Sequence, residues 1–134
     1  MSVQYSTTHR NNALADLTTQ LGTTPYLLIY TGAPPANCAT GATGTLLASL
    51  ACSNPFAPAP VGGVLTASSI PGALTVTGGT AGYWRLCTSN AGSTVVAQGT
   101  IATSGGDINF AGGVVFASGT TVNILSLTIT ANGA

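Results

Sequence analysis

Only four side chains in this chain of 134 residues are charged at neutral pH: Arg10, Asp16, Arg85 and Asp107, with no Lys and no Glu. Ordinary soluble domains are about 25% charged, against 3% here. Solvation must therefore come from Thr, Ser, Asn, Gln and the backbone. Such a surface has little charge to strip of water when it meets another protein. It also offers almost nothing for proton-transfer catalysis. The composition predicts a structural chain that assembles, not an enzyme.

The length suits one domain with a core of its own, since domains commonly hold about 100–150 residues. Hydrophobic residues make up 45% but aromatics only 6%, with Gly 18 and Pro 7. Short runs of Thr, Val, Ile and Leu separated by Gly and Pro predict an all-β domain. Disordered chains pair low hydrophobicity with high net charge, whereas this one has positive mean hydropathy and a net charge of zero. A neutral chain has little repulsion to keep copies apart, so self-association is expected. Two arginines balanced by two aspartates cannot form the basic groove that displaces counterions from phosphates, which argues against nucleic acid as a partner.

The segment 1–23 differs from the rest. Leu14, Leu17 and Leu21 recur on one helical face, Ser6, Thr7 or Thr8 can cap the start, and Gly22 is a good stop. A short N-terminal helix is expected there, followed by a β domain over 24–134. Strands are predicted at Tyr26–Thr31, Thr45–Ser53, Val64–Ser68, Ala73–Thr77, Gly82–Thr88, Thr94–Ala102, around Ile108 and Phe110, at Val114–Ala117 and at Thr121–Thr130. The last is expected to be the longest, with Leu125, Leu127 and Ile129 on one face. Thr31–Gly44 reads as a loop, Asn54–Gly63 as a Pro-rich loop or edge, Pro71-Gly72 as a break between strands and Asn90-Ala-Gly92 as a hairpin turn. Short strands at this spacing predict a sandwich or barrel. The absence of strand–helix alternation argues against a parallel α/β sheet.

Constellations that carry chemistry are thin. Asp16 and Asp107 fall on a helix and at a turn, which suits solvation, an Arg partner or a turn cap better than a catalytic pair. A Ser-His-Asp triad would need His9, close to a terminus, and no G-x-S-x-G elbow is present. Cys38, Cys52 and Cys87 form no C-x-x-C pair and read as small, partly buried residues, with a Cys38–Cys52 bridge left open by spacing alone. No metal-ligand spacing or phosphate loop is present, so no cofactor is expected. Trp84 reads as a core residue or an interface anchor. Arg85, on the opposite face, is expected to be solvated or paired with Asp107. The start of the chain shows no secretory pattern and no run has the length of a membrane span. The expectation is a chain made in a cytoplasm, with no membrane partner.

Several stretches in order resemble a family of small tailed-bacteriophage virion structural proteins. They are Tyr5-Ser-Thr-Thr-His-Arg-Asn-Asn-Ala-Leu-Ala15, Gly22-Thr-Thr-Pro-Tyr-Leu27, Thr31-Gly-Ala-Pro-Pro-Ala-Asn-Cys38, Gly44-Thr-Leu-Leu-Ala48, Gly79-Thr-Ala-Gly-Tyr-Trp-Arg-Leu86, Gly99-Thr-Ile101, Ser104-Gly-Gly-Asp-Ile-Asn109 and Val122-Asn-Ile-Leu-Ser-Leu-Thr-Ile-Thr-Ala-Asn-Gly133. The resemblance spans nearly the whole chain and implies a capsid decoration (cement) protein. Such a protein is a β-sandwich or jelly-roll domain that works as a dimer or trimer. It binds the major capsid protein on the outside of an icosahedral shell and braces it. No catalytic residues carry over. The sequence is poorer in charge than the group, which sets it apart from electrostatic docking.

The resulting expectation is an all-β, jelly-roll-like β-sandwich with a short N-terminal helix, located on the capsid exterior of a virion. Leu14, Leu17 and Leu21 of the helix, with Pro55, Phe56 and Pro58 of the Pro-rich loop, are the candidate contacts with capsid or sister subunits. The structural alternative is that the helix plugs one end of the sandwich and the loop covers an edge. Two further readings are a tail or fibre component, and a carbohydrate-binding β-sandwich module resting on Trp84 and Tyr83.

Overall fold

The computed structural model describes residues 3–133 except 93, 106, 107, 111, 112, 125, 126 and 132. It is mostly β, with one short N-terminal helix. Helix α1 (Thr7–Leu21) starts where Ser6, in extended backbone, accepts a 3.1 Å hydrogen bond from the His9 amide. It stops where Gly22 takes φ +70 and returns its amide to the Thr19 carbonyl. Leu14 and Leu21 are buried on its inner face. A second tether comes from Asn11, whose Oδ1 accepts from the Gly63 amide at 2.8 Å. The Arg10 guanidinium lies against the same glycine, where a Cβ would strike it.

The main sheet has the order β2-β1-β5-β6-β7, with β8 also pairing to β5. Its strands are β1 (Tyr26–Thr31), β2 (Leu46–Ala51), β5 (Gly79–Cys87), β6 (Val95–Ala102), β7 (Ile108–Asn109) and β8 (Val115–Phe116). Two small sheets complete the fold. In one, β3 (Val64–Thr66) pairs antiparallel with β10 (Thr128–Thr130); in the other, β4 (Ile70–Leu74) pairs antiparallel with β9 (Thr121–Ile124). Leu14 and Leu21 of the helix, Leu27, Ile29, Trp84 and Leu86 of the main sheet, and Leu65, Val122 and Ile124 of the small sheets share one hydrophobic core. The helical segment and the β domain are therefore parts of one packed body.

Three details depart from the sequence reading. Pro71-Gly72 does not separate strands but lies inside β4. Its pairing with β9 shifts register between Ile70 and Ala73, so the proline sits in an irregularity of a two-stranded sheet and takes no ladder position that needs its missing N–H. The expected long strand Thr121–Thr130 divides into β9 and β10, which pair with different partners; Leu125 lies outside the described residues. In β2, strict alternation fails because the register against β1 shifts between Ile29 and Tyr30. Leu47 is buried as a result, beside Ala48 and Leu50, while Leu46 is only half-buried.

Strand β5 is buried on both faces over Tyr83–Cys87. Trp84 and Leu86 face the shared core. Tyr83, Arg85 and Cys87 face the other way, yet they are equally removed from water. The cover on that second face is the loop 32–44.

Candidate functional site

The loop 32–44 leaves β1 and folds back over the outer face of the main sheet. At its base, Thr31 and Thr45 exchange backbone and side-chain hydrogen bonds, with the Thr31 amide to the Thr45 carbonyl at 3.0 Å and the Thr45 amide to Thr31 Oγ1 at 2.8 Å. Gly82 allows the close approach: a Cβ there would overlap the carbonyl of Gly32. One step along β5, the Tyr83 hydroxyl donates to the Thr43 carbonyl and accepts from the Thr43 amide at 3.0 Å. Its ring stacks on Tyr30, with centroids 5.1 Å apart.

The next outward residue of β5 is Arg85, 2% exposed. Its Nη2 donates to the Thr40 carbonyl at 2.6 Å and to the Asn37 carbonyl at 3.3 Å, and its Nε donates to Gln98 Oε1 at 3.2 Å. Gln98, the β6 neighbour of Arg85, turns its own Nε2 to the Pro35 carbonyl at 2.8 Å. Asn37 closes the turn at the loop tip by accepting from the Thr40 amide and hydroxyl at 2.9 and 3.0 Å. A buried charge normally requires a counter-ion. Among the described residues, backbone carbonyls and an amide oxygen solvate the guanidinium. The sequence reading of Arg85 as solvated or paired with Asp107 is corrected on the first point, because the loop excludes water; Asp107 lies outside the described residues.

The same burial acts on neighbouring acids. Burial raises the Cys87 thiol above its ordinary range; Arg85 lowers it in part and Cys38 raises it. Burial likewise raises the Tyr30 phenol, helped by Cys87 and Tyr83 and opposed by Arg85. At the end of β2, packed against the core, burial pushes the Cys52 thiol up to about 11, against a hydrogen bond from the Leu27 backbone. All three cysteines are free, so the bridge between Cys38 and Cys52 left open by spacing is not formed.

The six candidate contact residues divide. Leu14, Leu21 and Phe56 are 5%, 0% and 1% exposed and belong to the core. The helix plugs the fold and Phe56 anchors its loop, so these three side chains are corrected from partner contacts to core residues. Leu17 is half-buried against the core. Pro55, joined to Asn54 by a cis peptide bond, and Pro58 remain exposed. Trp84 is 4% exposed and lies in the core, which leaves neither it nor the buried Tyr83 as an exposed platform for a sugar ring.

His9 is exposed on α1 with its ring 4.7 Å from that of Tyr5. Asp16, also exposed, accepts a hydrogen bond from Gln20. Among the described residues no group of three His, Cys, Asp or Glu could hold a metal ion, and no helix is long and apolar enough to cross a membrane. A groove of about 270 Å³ between the small sheets is bounded by Thr66, Ser68, Ser69, Ile70 and Leu127, none of them ionisable.

Charge is therefore distributed unevenly. Arg85 is withdrawn beneath the loop, and Arg10 and Asp16 both sit on α1. Among the described residues, the outer surface of the β part carries no charged side chain, while Val61 and Val115 stand 78% and 75% exposed. Comparison with family models, curated proteins and solved structures finds no match.

Proposed function

We propose that this chain is a bacteriophage capsid decoration protein, a jelly-roll-like β-sandwich that binds the major capsid protein on the outside of an icosahedral shell as a homo-oligomer. The observation that carries this reading is that, among the described residues, the exterior of the β part has no charged side chain, combined with an arginine invested in rigidity. A brace needs a stiff body and surfaces that dock without stripping ions of water. Small neutral contacts, each weak, add through many copies on one shell. By binding the assembled shell and not its free subunits, they stabilise it by mass action. The sandwich reading is supported by the main sheet and the two small sheets burying residues in one core. The docking surface is assigned to the exposed rim of the Pro-rich loop, Pro55, Pro58 and Val61, which Phe56 holds from beneath.

The test mixes purified chain with shells that lack it and measures co-sedimentation and shell melting. Saturable binding at many copies per shell, a raised shell melting temperature and little dependence on salt are expected. Pro58→Glu and Val61→Glu should weaken binding without unfolding the chain. Binding only at a few positions would favour a tail component, and no binding, or substrate turnover by the purified chain, would overturn the proposal.

A further inference from the structure

The loop 32–44 meets β5 in a regular progression. Gly32 lies over Gly82, Thr43 over Tyr83, and the turn Asn37–Thr40 over Arg85. Outward-facing side chains recur at every second residue of a strand, so the next one after Arg85 is Cys87. Cys38 lies inside the turn whose two flanking carbonyls, of Asn37 and Thr40, are both held by Arg85 Nη2. The loop tip thus carries a half-exposed thiol over the end of β5, which carries a buried one.

We propose that Cys38 and Cys87 are a thiol pair that closes into an intramolecular disulfide, locking the loop tip onto the sheet once the chain meets a disulfide oxidant. With glutathione disulfide, the accessible Cys38 thiolate attacks one glutathione sulfur and releases glutathione thiolate. The Cys87 thiolate then attacks Cys38 Sγ in the mixed disulfide and releases the second glutathione. Two electrons pass from the protein to the oxidant, and the two protons lost by the cysteines end on the two glutathione molecules. The electrostatic influence of Cys38 on Cys87 agrees with their proximity. Cys87 is buried away from the oxidant while Cys38 is half-exposed, which makes Cys38 the entry point. Cys52, half-buried against the core on the opposite face of the sheet with its Sγ directed to the Leu50 carbonyl, is left out. This inference does not depend on the capsid reading.

The two arginines make the test direct. Trypsin cuts after Arg10 and Arg85, so Cys38 and Cys52 fall in peptide 11–85 and Cys87 in peptide 86–134. Reduced wild-type, Cys52→Ser and Cys38→Ser proteins are incubated folded with glutathione disulfide, alkylated in denaturant and digested without reductant. Free thiols in the wild type should fall from three to one per chain, and the two peptides should run joined in wild type and in Cys52→Ser but not in Cys38→Ser. A link that survives in Cys38→Ser, a link between chains, or glutathione adducts without a peptide-to-peptide bond would each overturn the proposal. Circular dichroism of Cys38→Ser before oxidation separates loss of the bond from loss of the fold.

Discussion

Replacing Arg85 with alanine removes the donors from three acceptors at once: the Thr40 and Asn37 carbonyls and Gln98 Oε1. Hydrogen bonds from a charged donor contribute about 1.5–3 kcal/mol each, and a buried acceptor left without a donor costs about 1–3 kcal/mol. The 2.6 Å bond to Thr40 belongs at the upper end and the 3.2 and 3.3 Å bonds at the lower. Against this, the variant no longer has to bury a guanidinium, which recovers several kcal/mol of desolvation. The net loss should be about 3–5 kcal/mol, as for other buried charge networks broken on one side. With a urea dependence of about 1–3 kcal/mol per molar, the unfolding midpoint should fall by roughly 2 M. The damage should be directional. The Thr43 amide, held by Tyr83 in the clamped loop, should exchange with solvent faster, whereas the β1–β5 ladder should lose protection only in proportion to global stability. Arg85→Met, which restores volume without donors, should recover part of the midpoint but not the Thr43 protection. A loss under about 1 kcal/mol in Arg85→Ala with Thr43 exchange unchanged would refute the clamp.

Leu21 is fully buried at the end of α1, so Leu21→Ala should cost about 2–5 kcal/mol in urea unfolding; a cost near zero would show the helix to be peripheral. Removal of residues 2–21 should correspondingly weaken or abolish the β circular-dichroism signal, because it deletes two core leucines. Stability should also fall in alkali. Burial pushes the half-buried Cys52 thiol up to about 11 from an ordinary 9.0, so the folded chain keeps a proton that the unfolded chain gives up. The stabilisation is complete below the unfolded value and is lost as pH climbs through the folded one. Cys52→Ser should flatten this decline in urea midpoints measured across that window, leaving a residual slope from Cys87 and Tyr30, both also raised.

Local signals in the chain were readable where one physical cause acts alone. Ser6, the leucine spacing and Gly22 delimit α1, and the apolar run after Pro25 is β1, residue for residue. Alternation also assigned Trp84 and Arg85 to opposite faces correctly. It could not say that the second face is dry, because burial there is decided by a loop whose contacts reach forty or more residues along the chain, and whose Gly, Pro and Ala content only says that it is irregular. Phe56 failed for the same reason: a Pro-rich composition marks a loop but not the direction of its one aromatic side chain. Pro71-Gly72 and the run 121–130 show the complementary limit. A break signal can be absorbed by an irregular register, and a continuous β pattern can serve two sheets, when the partner strands decide the outcome. Of the candidate site, the neutrality was legible from composition, but the Asn37–Thr40–Arg85–Gln98 clamp had no sequence signal, being assembled from residues distant in the chain.

The hydrogen bond from the Tyr5 amide to the Gly133 carbonyl, with the Tyr5 ring lying against that glycine, brings positions 5 and 133 side by side. Tension applied between these two points would meet that contact first and peel it open, instead of shearing the broad β1–β5 ladder. A fusion joined at either position would therefore leave from the same place on the surface.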